Sequence, residues 1–429
     1  MRTLLKKAGL GLMAWTIGGS AVAFAETLTW AQVMQEAARN NGELKAAVAS
    51  LRASDESLRG SQSNFYPQVA TSVGYGQSGS LASGSSLFTG DASDSKGSYN
   101  ASLSLSQSIF SGWADQARVD QSKATRMSSE AQLNETKAKV SRDLKAAFAG
   151  LSFAQRLLTM QEDITRRRQE NLKLVTLRYE SGSENKGSVL LSQAYLDQAK
   201  LESLQTRNSL QVAQAELAQV LGRDLTTALQ VQDEIPTVTP AAPPDFGQLA
   251  RQTPFHQQSE SKVSSAQAAV VVARAGFFPT LSLSGNLGRQ GDQWFPDRES
   301  WTLGVSLNYP LYSGGRDRAA TYAAASNLIA AEASRSQSDR AQVTQLQQTY
   351  AAWLEAIENV KVENSFFQAA KLRAEIARNK YNNGLSTFED WDLIESELIK
   401  RQRSILQSQR DRVVAEANWE QTQGKGVFR

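Results

Sequence analysis

The residue types most used for thiol and imidazole chemistry are nearly missing from this chain. Cysteine is absent and His256 is the single histidine. Without a thiolate or a second imidazole, a Cys/His metal site, a disulfide framework and a His-activated thiol all lack their parts. His256 sits in the polar run TPFHQQSE and reads as a solvated helix residue, not a ligand. No glycine-rich phosphate loop is present, so the sequence argues against an enzyme and calls for no cofactor. Two other polar groupings stand out. Glu389, Asp390 and Asp392 crowd the start of a helical segment, where each acid gains about 0.3–1 kcal/mol from the helix dipole. The stretch 101–112 reads ASLSLSQSIFSG, with Ser102, Ser104, Ser106 and Ser108 alternating with Leu103, Leu105, Gln107 and Ile109. A two-residue period puts hydroxyls on one face of a strand and apolar groups on the other.

These groupings belong to a duplicated chain. A near-copy of the serine strand, WTLGVSLNYPLYSGG, lies at 301–315. Ser111-Gly112 corresponds to Ser313-Gly314, RYESG at 178–182 to KYNNG at 380–384, and Leu221-Gly222 to Gln423-Gly424, all at an offset of 202 residues. Phe65-Tyr66-Pro67 matches Phe277-Phe278-Pro279 at 212 residues, because the first copy has the longer hairpin loop. Repetition of this kind sets the architecture before any detail. The first repeat occupies 26–224 and the second 246–429, with a Pro-rich linker at 225–245 expected to form a small equatorial belt.

Each repeat reads as helix, hairpin, long helix, turn and helix. Hairpins are expected at 68–109 and 280–311, with four strands of about 8 to 10 residues, roughly the length that crosses a tilted bilayer path. Long helices are expected at 113–179 and 316–381, followed by helices at 188–221 and 385–424. A helix of about 65 residues is roughly 100 Å long. Val140, Leu144, Ala147, Leu151, Ala154 and Leu158 step by 4 and 3, as do Leu346, Tyr350, Trp353, Ile357 and Val360. That is the seam of a coiled coil. The lengths pair 188–221 with 246–275, and 385–424 with 29–64, as end-to-end stacks beside the long helices.

The first 25 residues read as a cleaved secretory signal, with Arg2, Lys6 and Lys7 before a short apolar core and Ala23-Phe24-Ala25 at the cleavage site. Loss of that leader would leave 43 basic residues against 43 acidic ones, so no bulk positive charge points to nucleic acid. No later segment carries the roughly 18 consecutive apolar residues of a membrane helix. An exported chain with amphipathic strands then fits a β-barrel, and four strands cannot close one, since lipid forbids open sheet edges. Three copies side by side would supply twelve strands and twelve columns of helix. The serine face would line water, at Ser102, Ser104, Ser106, Ser282, Ser284 and Ser306, and outer-membrane lipid would meet the apolar face. Ser111, Gly112, Ser313 and Gly314 would be the joints where barrel becomes helix. Trp301 reads as an interfacial aromatic, whereas Phe110, Trp113, Tyr309 and Tyr312 read as packing at the joint.

FYP and FFP before the strands, QSIFSG and YPLYSGG at the joints, and RYESG and KYNNG at the turns resemble the TolC family of outer-membrane efflux and secretion ducts. The resemblance spans the chain after the leader. It implies an α-dominated homotrimer with a 12-stranded β-barrel continuing into a periplasmic α-helical barrel. It also implies a periplasmic adaptor and, through it, an inner-membrane pump of the RND or ABC type. Gly182, Ser183, Gly384 and Leu385 would form the tips that meet the adaptor. Acids just past the second turn would form a constriction ring in such ducts: Asp390 falls on one family position, Leu393 on the other, and Asp392 is the candidate substitute. Ser188 stands at the equivalent place in the first repeat, which has no matching carboxylate. The competing reading is an exported coiled-coil adhesin or scaffold without a channel. It leaves the hydroxyl-faced hairpins unexplained. A passive porin leaves the long helices unexplained.

Overall fold

The computed structural model describes residues 26–78, 96–224, 228–232, 235–239 and 242–428. The expected leader, most of the first hairpin loop and part of the Pro-rich linker, including Pro240, lie outside the described residues.

Two helices dominate: α3 (Ala114–Glu180) and α7 (Arg316–Asn382), each of 67 residues. The shorter helices are α1 (Trp30–Asn40), α2 (Gly42–Gln62), α4 (Lys186–Leu221), α5 (Phe246–Arg251), α6 (Pro254–Arg274) and α8 (Phe388–Thr422). Two segments expected as single helices are broken. Asn41 ends α1 and caps α2, its side chain accepting from the Leu44 N–H. Thr253 caps α6 with Pro254 at its first position, where a missing N–H costs nothing.

The end-to-end stacks differ from those that segment lengths suggest. α4 abuts α2: Asn41 Nδ2 donates to the Val220 carbonyl at 2.8 Å, and Gly222 lies against the Asn40 backbone. α8 abuts α6, with Gly424 packed on the Pro254 ring. Lengths alone fit either pairing. The positive φ of Gly222 and Gly424 ends each lower helix where the upper one begins, and those contacts select the partners.

The strands β2 (Gln68–Ser78), β3 (Lys96–Phe110), β5 (Thr280–Gly291) and β6 (Arg298–Asn308) form one antiparallel sheet in the order β2-β3-β5-β6. At 11 to 15 residues they are longer than the 8 to 10 expected, because both hairpins extend past the apolar band into polar sequence. α2 feeds β2, β3 feeds α3, α6 feeds β5 and β6 feeds α7. The helical columns, (α4, α2), α3, (α8, α6) and α7, therefore stand in the same lateral order as the strands.

A belt sits at mid-height. Strand β1 (Glu26–Leu28) pairs in parallel with β4 (Leu229–Val231), within sequence that alternation alone does not mark as strand. Leu28, Trp30 and Leu229 pack on Leu144, Phe148 and Leu151 of α3 and on Leu217 and Leu221 of α4, with Val427 and Phe428 at the rim. Leu144, Ala147, Leu151 and Ala154 of the α3 heptad seam belong to this core, while at its ends Val140 is buried outside it and Leu158 is half-buried. Arg223 ties β1 to α1 through ion pairs with Glu26 and Glu36.

Candidate functional site

The sheet separates its side chains cleanly. Val69, Thr71, Val73 and Tyr75 of β2 pair with Leu105, Leu103, Ala101 and Tyr99 of β3. Leu103 and Leu105 pair in turn with Leu287 and Gly285, and Leu287, Gly285, Leu283 and Leu281 with Trp301, Leu303, Val305 and Leu307. Four positions along each strand, apolar apart from Thr71, make a band about 20 Å tall along the strand axis. It ends where Arg289 and Glu299 form a cross-strand ion pair, beside the packed rings of Tyr75, Tyr99 and Trp294.

The opposite face carries the serines. Ser102 pairs with Ser72, their hydroxyls 2.8 Å apart, Ser106 with Ser284, and Ser282 with Ser306, while Ser104 faces Ala70 and Asn286. Ser102, Ser104, Ser106, Ser282, Ser284 and Ser306 thus share one surface. In the single chain much of the apolar face is exposed: Val73 is 84% exposed and Trp301 77%.

At the first joint, Gly112 and Trp113 both adopt left-handed backbone, with φ of 64° and 67°. The joint needs glycine at 112 for a second reason: a Cβ there would lie 2.8 Å from Phe278 Cβ and 2.9 Å from the Ala275 carbonyl oxygen. Trp113 is a non-glycine residue in a costly conformation. Its ring packs edge-on to Phe110 and Phe278 at centroid distances of 5.1 and 4.9 Å. Ser111 Oγ accepts the Asp115 N–H at 3.1 Å, and Asp115 accepts from Ser108 Oγ and Arg118. At the second joint Gly314 and Gly315 take the left-handed turn, and the Ser313 hydroxyl holds the Asp317 carboxyl below its ordinary value. Asp115 and Asp317 were legible, since they too are 202 residues apart. Among the aromatics Phe110 and Trp113 pack as expected, but Tyr312 is 87% exposed.

The two turns at the far ends of the long helices have the same construction. Gly182 N–H reaches the Tyr179 carbonyl and Ser183 N–H the Arg178 carbonyl; Gly384 and Leu385 repeat this on Tyr381 and Lys380. Both glycines are left-handed, as a Schellman cap requires. Ser183 and Leu385 project into solvent. The turns are tied together. Tyr381 is fully buried, stacks on Trp391 at 4.5 Å and donates its hydroxyl to Glu184 at 3.1 Å. Arg178 lies over the Tyr381 ring and donates to its carbonyl. Burial, with the Glu184 carboxylate second, pushes the Tyr381 phenol far above its ordinary value. Composition gave no sign of this tie, because Tyr381 alone reads as a helix-end residue.

The acids past the second turn separate into two kinds. Asp390 is exposed, its N–H capped by Thr387 Oγ1 at 3.2 Å, and Glu389 is exposed beside it. Asp392 is buried and ion-paired to Arg168 of α3, whose other nitrogen donates to Ser396 Oγ at 3.0 Å. The expectation that Asp392 serves as a ring carboxylate is therefore corrected. Two positions past Asp390 on a helix is nearly the opposite side, and its charge is neutralised within the chain. His256 also differs from expectation: Nδ1 lies 2.7 Å from Asp339 Oδ1, joining α6 to α7.

Comparison with known proteins matches this geometry. The family model described as outer membrane efflux protein matches residues 33–223 and 248–425. Outer membrane efflux protein BepC of Brucella suis is 22% identical over 412 residues, 94% of this chain and 86% of its own. The alkaline protease secretion protein AprF of Pseudomonas aeruginosa is 26% identical over 233 residues, so the alignment takes in only 52% of this chain and 48% of AprF. The solved structure of VceC from Vibrio cholerae superposes with a TM-score of 0.78 at 19% identity, covering 92% of this chain and 95% of that one. A structure of CusC gives 0.80 at 17% identity, over 92% and 91%. With matched repeats on both sides of the linker, this chain belongs to the outer membrane efflux protein family.

Proposed function

We propose that three copies of this chain close into an exit duct of the outer membrane. The duct passes solutes or polypeptides from a periplasmic adaptor and inner-membrane pump to the exterior. The observation that carries this is the sheet, which has one apolar face, one serine face and two open edges, β2 and β6. A lipid-exposed sheet must close. Three four-stranded sheets give twelve strands, within the range of bacterial barrels. The apolar band then meets lipid, and Ser102, Ser104, Ser106, Ser282, Ser284 and Ser306 line the water path. The helical columns continue that wall into the periplasm, with Ser111, Gly112, Ser313 and Gly314 as its joints.

The relatives' names support both cargo types: BepC is an efflux protein and AprF a protease secretion protein. The exposed tips at Gly182, Ser183, Gly384 and Leu385 are the surface offered to an adaptor. Three copies of exposed Asp390 near a common axis would repel one another and attract cations. The test is conductance in a planar bilayer. The reading requires discrete channels with cation selectivity that Asp390→Ala weakens. A protein that yields no channels from detergent is a scaffold, and selectivity unchanged in the variant removes Asp390 from the constriction.

A further inference from the structure

We propose that neighbouring copies of this chain meet in one fixed register: β6 of one lies against β2 of the next, with Leu307 opposite Val73 of the next copy and Gly314 against Tyr66 of the next copy. This rests on the closed-wall reading above and specifies its seam.

The chain contains its own copy of that seam. β3 and β5 join the second strand of the first repeat to the first strand of the second. A ring of copies needs the same kind of junction from β6 of one chain to β2 of the next, because a head-to-tail contact must close and a barrel keeps a fixed stagger. β6 lies 202 residues after β3, and β2 lies 212 residues before β5. Within the chain Leu103 faces Leu287 and Leu105 faces Gly285. The two offsets carry these pairs to Val305 with Tyr75 and Leu307 with Val73. Both pairs join apolar face to apolar face, which a slip of one residue would destroy.

Both halves of the junction already hold the required shape. Tyr66 leaves its turn at φ −111° and ψ 151°, and Phe278 at φ −106° and ψ 154°. Gly112 and Gly314 have φ of 64° and 67°. Phe278 fills the space beside Gly112, whereas the space beside Gly314 is open and Tyr66 is 67% exposed. Below the sheet the same offset changes the chemistry of the contact. Asp392 and Glu395 of α8 pair with Arg168 and Arg167 of α3. Their counterparts are Leu190 and Gln193 of α4, and Ala370 and Ala369 of α7. Leu190 is exposed. The helical seam is therefore ionic within a chain and free of these ion pairs between chains.

The chain has no cysteine, so two introduced thiols are the only ones present. Leu307→Cys/Val73→Cys protein, purified in mild detergent, is treated with a short bis-methanethiosulfonate and run on a denaturing gel. The expected result is that most chains run as covalently linked trimers. Leu303→Cys/Val73→Cys, displaced by four residues or about 13 Å along the same face, should stay unlinked. Val305→Cys/Tyr75→Cys, the next pair in register, serves if the first variant does not fold. Native trimers in which neither in-register pair links, or in which Leu303→Cys/Val73→Cys links instead, overturn the register and leave the duct reading standing. A parent protein that is monomeric in the same detergent overturns both.

Discussion

α3 and α7 are copies of one element with equal length, yet they live in different surroundings. Twenty-two residues of α3 are buried and only seven of α7. The reason is lateral position. α3 has a column on each side, α2 with α4 and α6 with α8, whereas α7 has only the second. The joints repeat the contrast. A Cβ at Gly112 would strike Phe278 and Ala275, but nothing lies within 4 Å of the corresponding position at Gly314. In the proposed assembly the second copy's missing neighbour is another chain, and exposed apolar residues of α7 such as Tyr322 and Ile329 are where it would sit.

Five substitutions test that contrast, in descending effect on the chain itself. Asp392→Ala strands Arg168 without its partner inside the α3–α8 interface. It should cost about 3–5 kcal/mol, read by thermal or denaturant unfolding of the purified protein. Gly112→Val combines left-handed backbone with a blocked site and should cost about 2–5 kcal/mol, with heat-resistant oligomer lost before channel properties change. Gly314→Ala meets no neighbour within the chain and should cost about 1 kcal/mol. A larger loss there shows that the adjoining chain fills that space.

Glu416 should give a smaller effect of defined sign. Burial raises its carboxyl above the ordinary value. The folded chain then holds that proton more tightly than the unfolded chain does. The added stability is complete below the ordinary carboxylate value and fades as pH climbs through the raised one. The melting temperature of the parent minus that of Glu416→Gln should accordingly be about 1–2 °C larger near pH 4 than near pH 7. Ile329→Asp should change protomer stability by less than about 0.5 kcal/mol. Its consequence should appear only in assembly, as a loss of oligomer on native gels. Unfolding of the protomer by Ile329→Asp would show that α7 has its partner within the chain.

The sequence states the fold through patterns with a fixed period: serine alternation gives the sheet faces, heptads give the buried seam of α3, and the 202-residue offset gives the repeats. It is silent where one residue's meaning depends on a distant one. The stacking of α4 on α2 rests on Asn41 reaching Val220, a contact no periodicity encodes. The β1–β4 pair is only three residues long on each side, too short for alternation to register. Asp390 and Asp392 look equivalent in a string, but a helix sends them to different sides and Arg168, some 220 residues earlier, claims one of them. Trp113 reads as an ordinary aromatic until the left-handed joint and the Phe110–Phe278 pocket explain its place.

The central claim is that one chain is a third of a closed wall. The direct measurement is the native mass of the protein extracted from outer membranes in mild detergent. Three chains per particle, with β2 and β6 edges protected from amide exchange, is the result the account predicts. A stable protomer or dimer with those edges exchanging freely would contradict it.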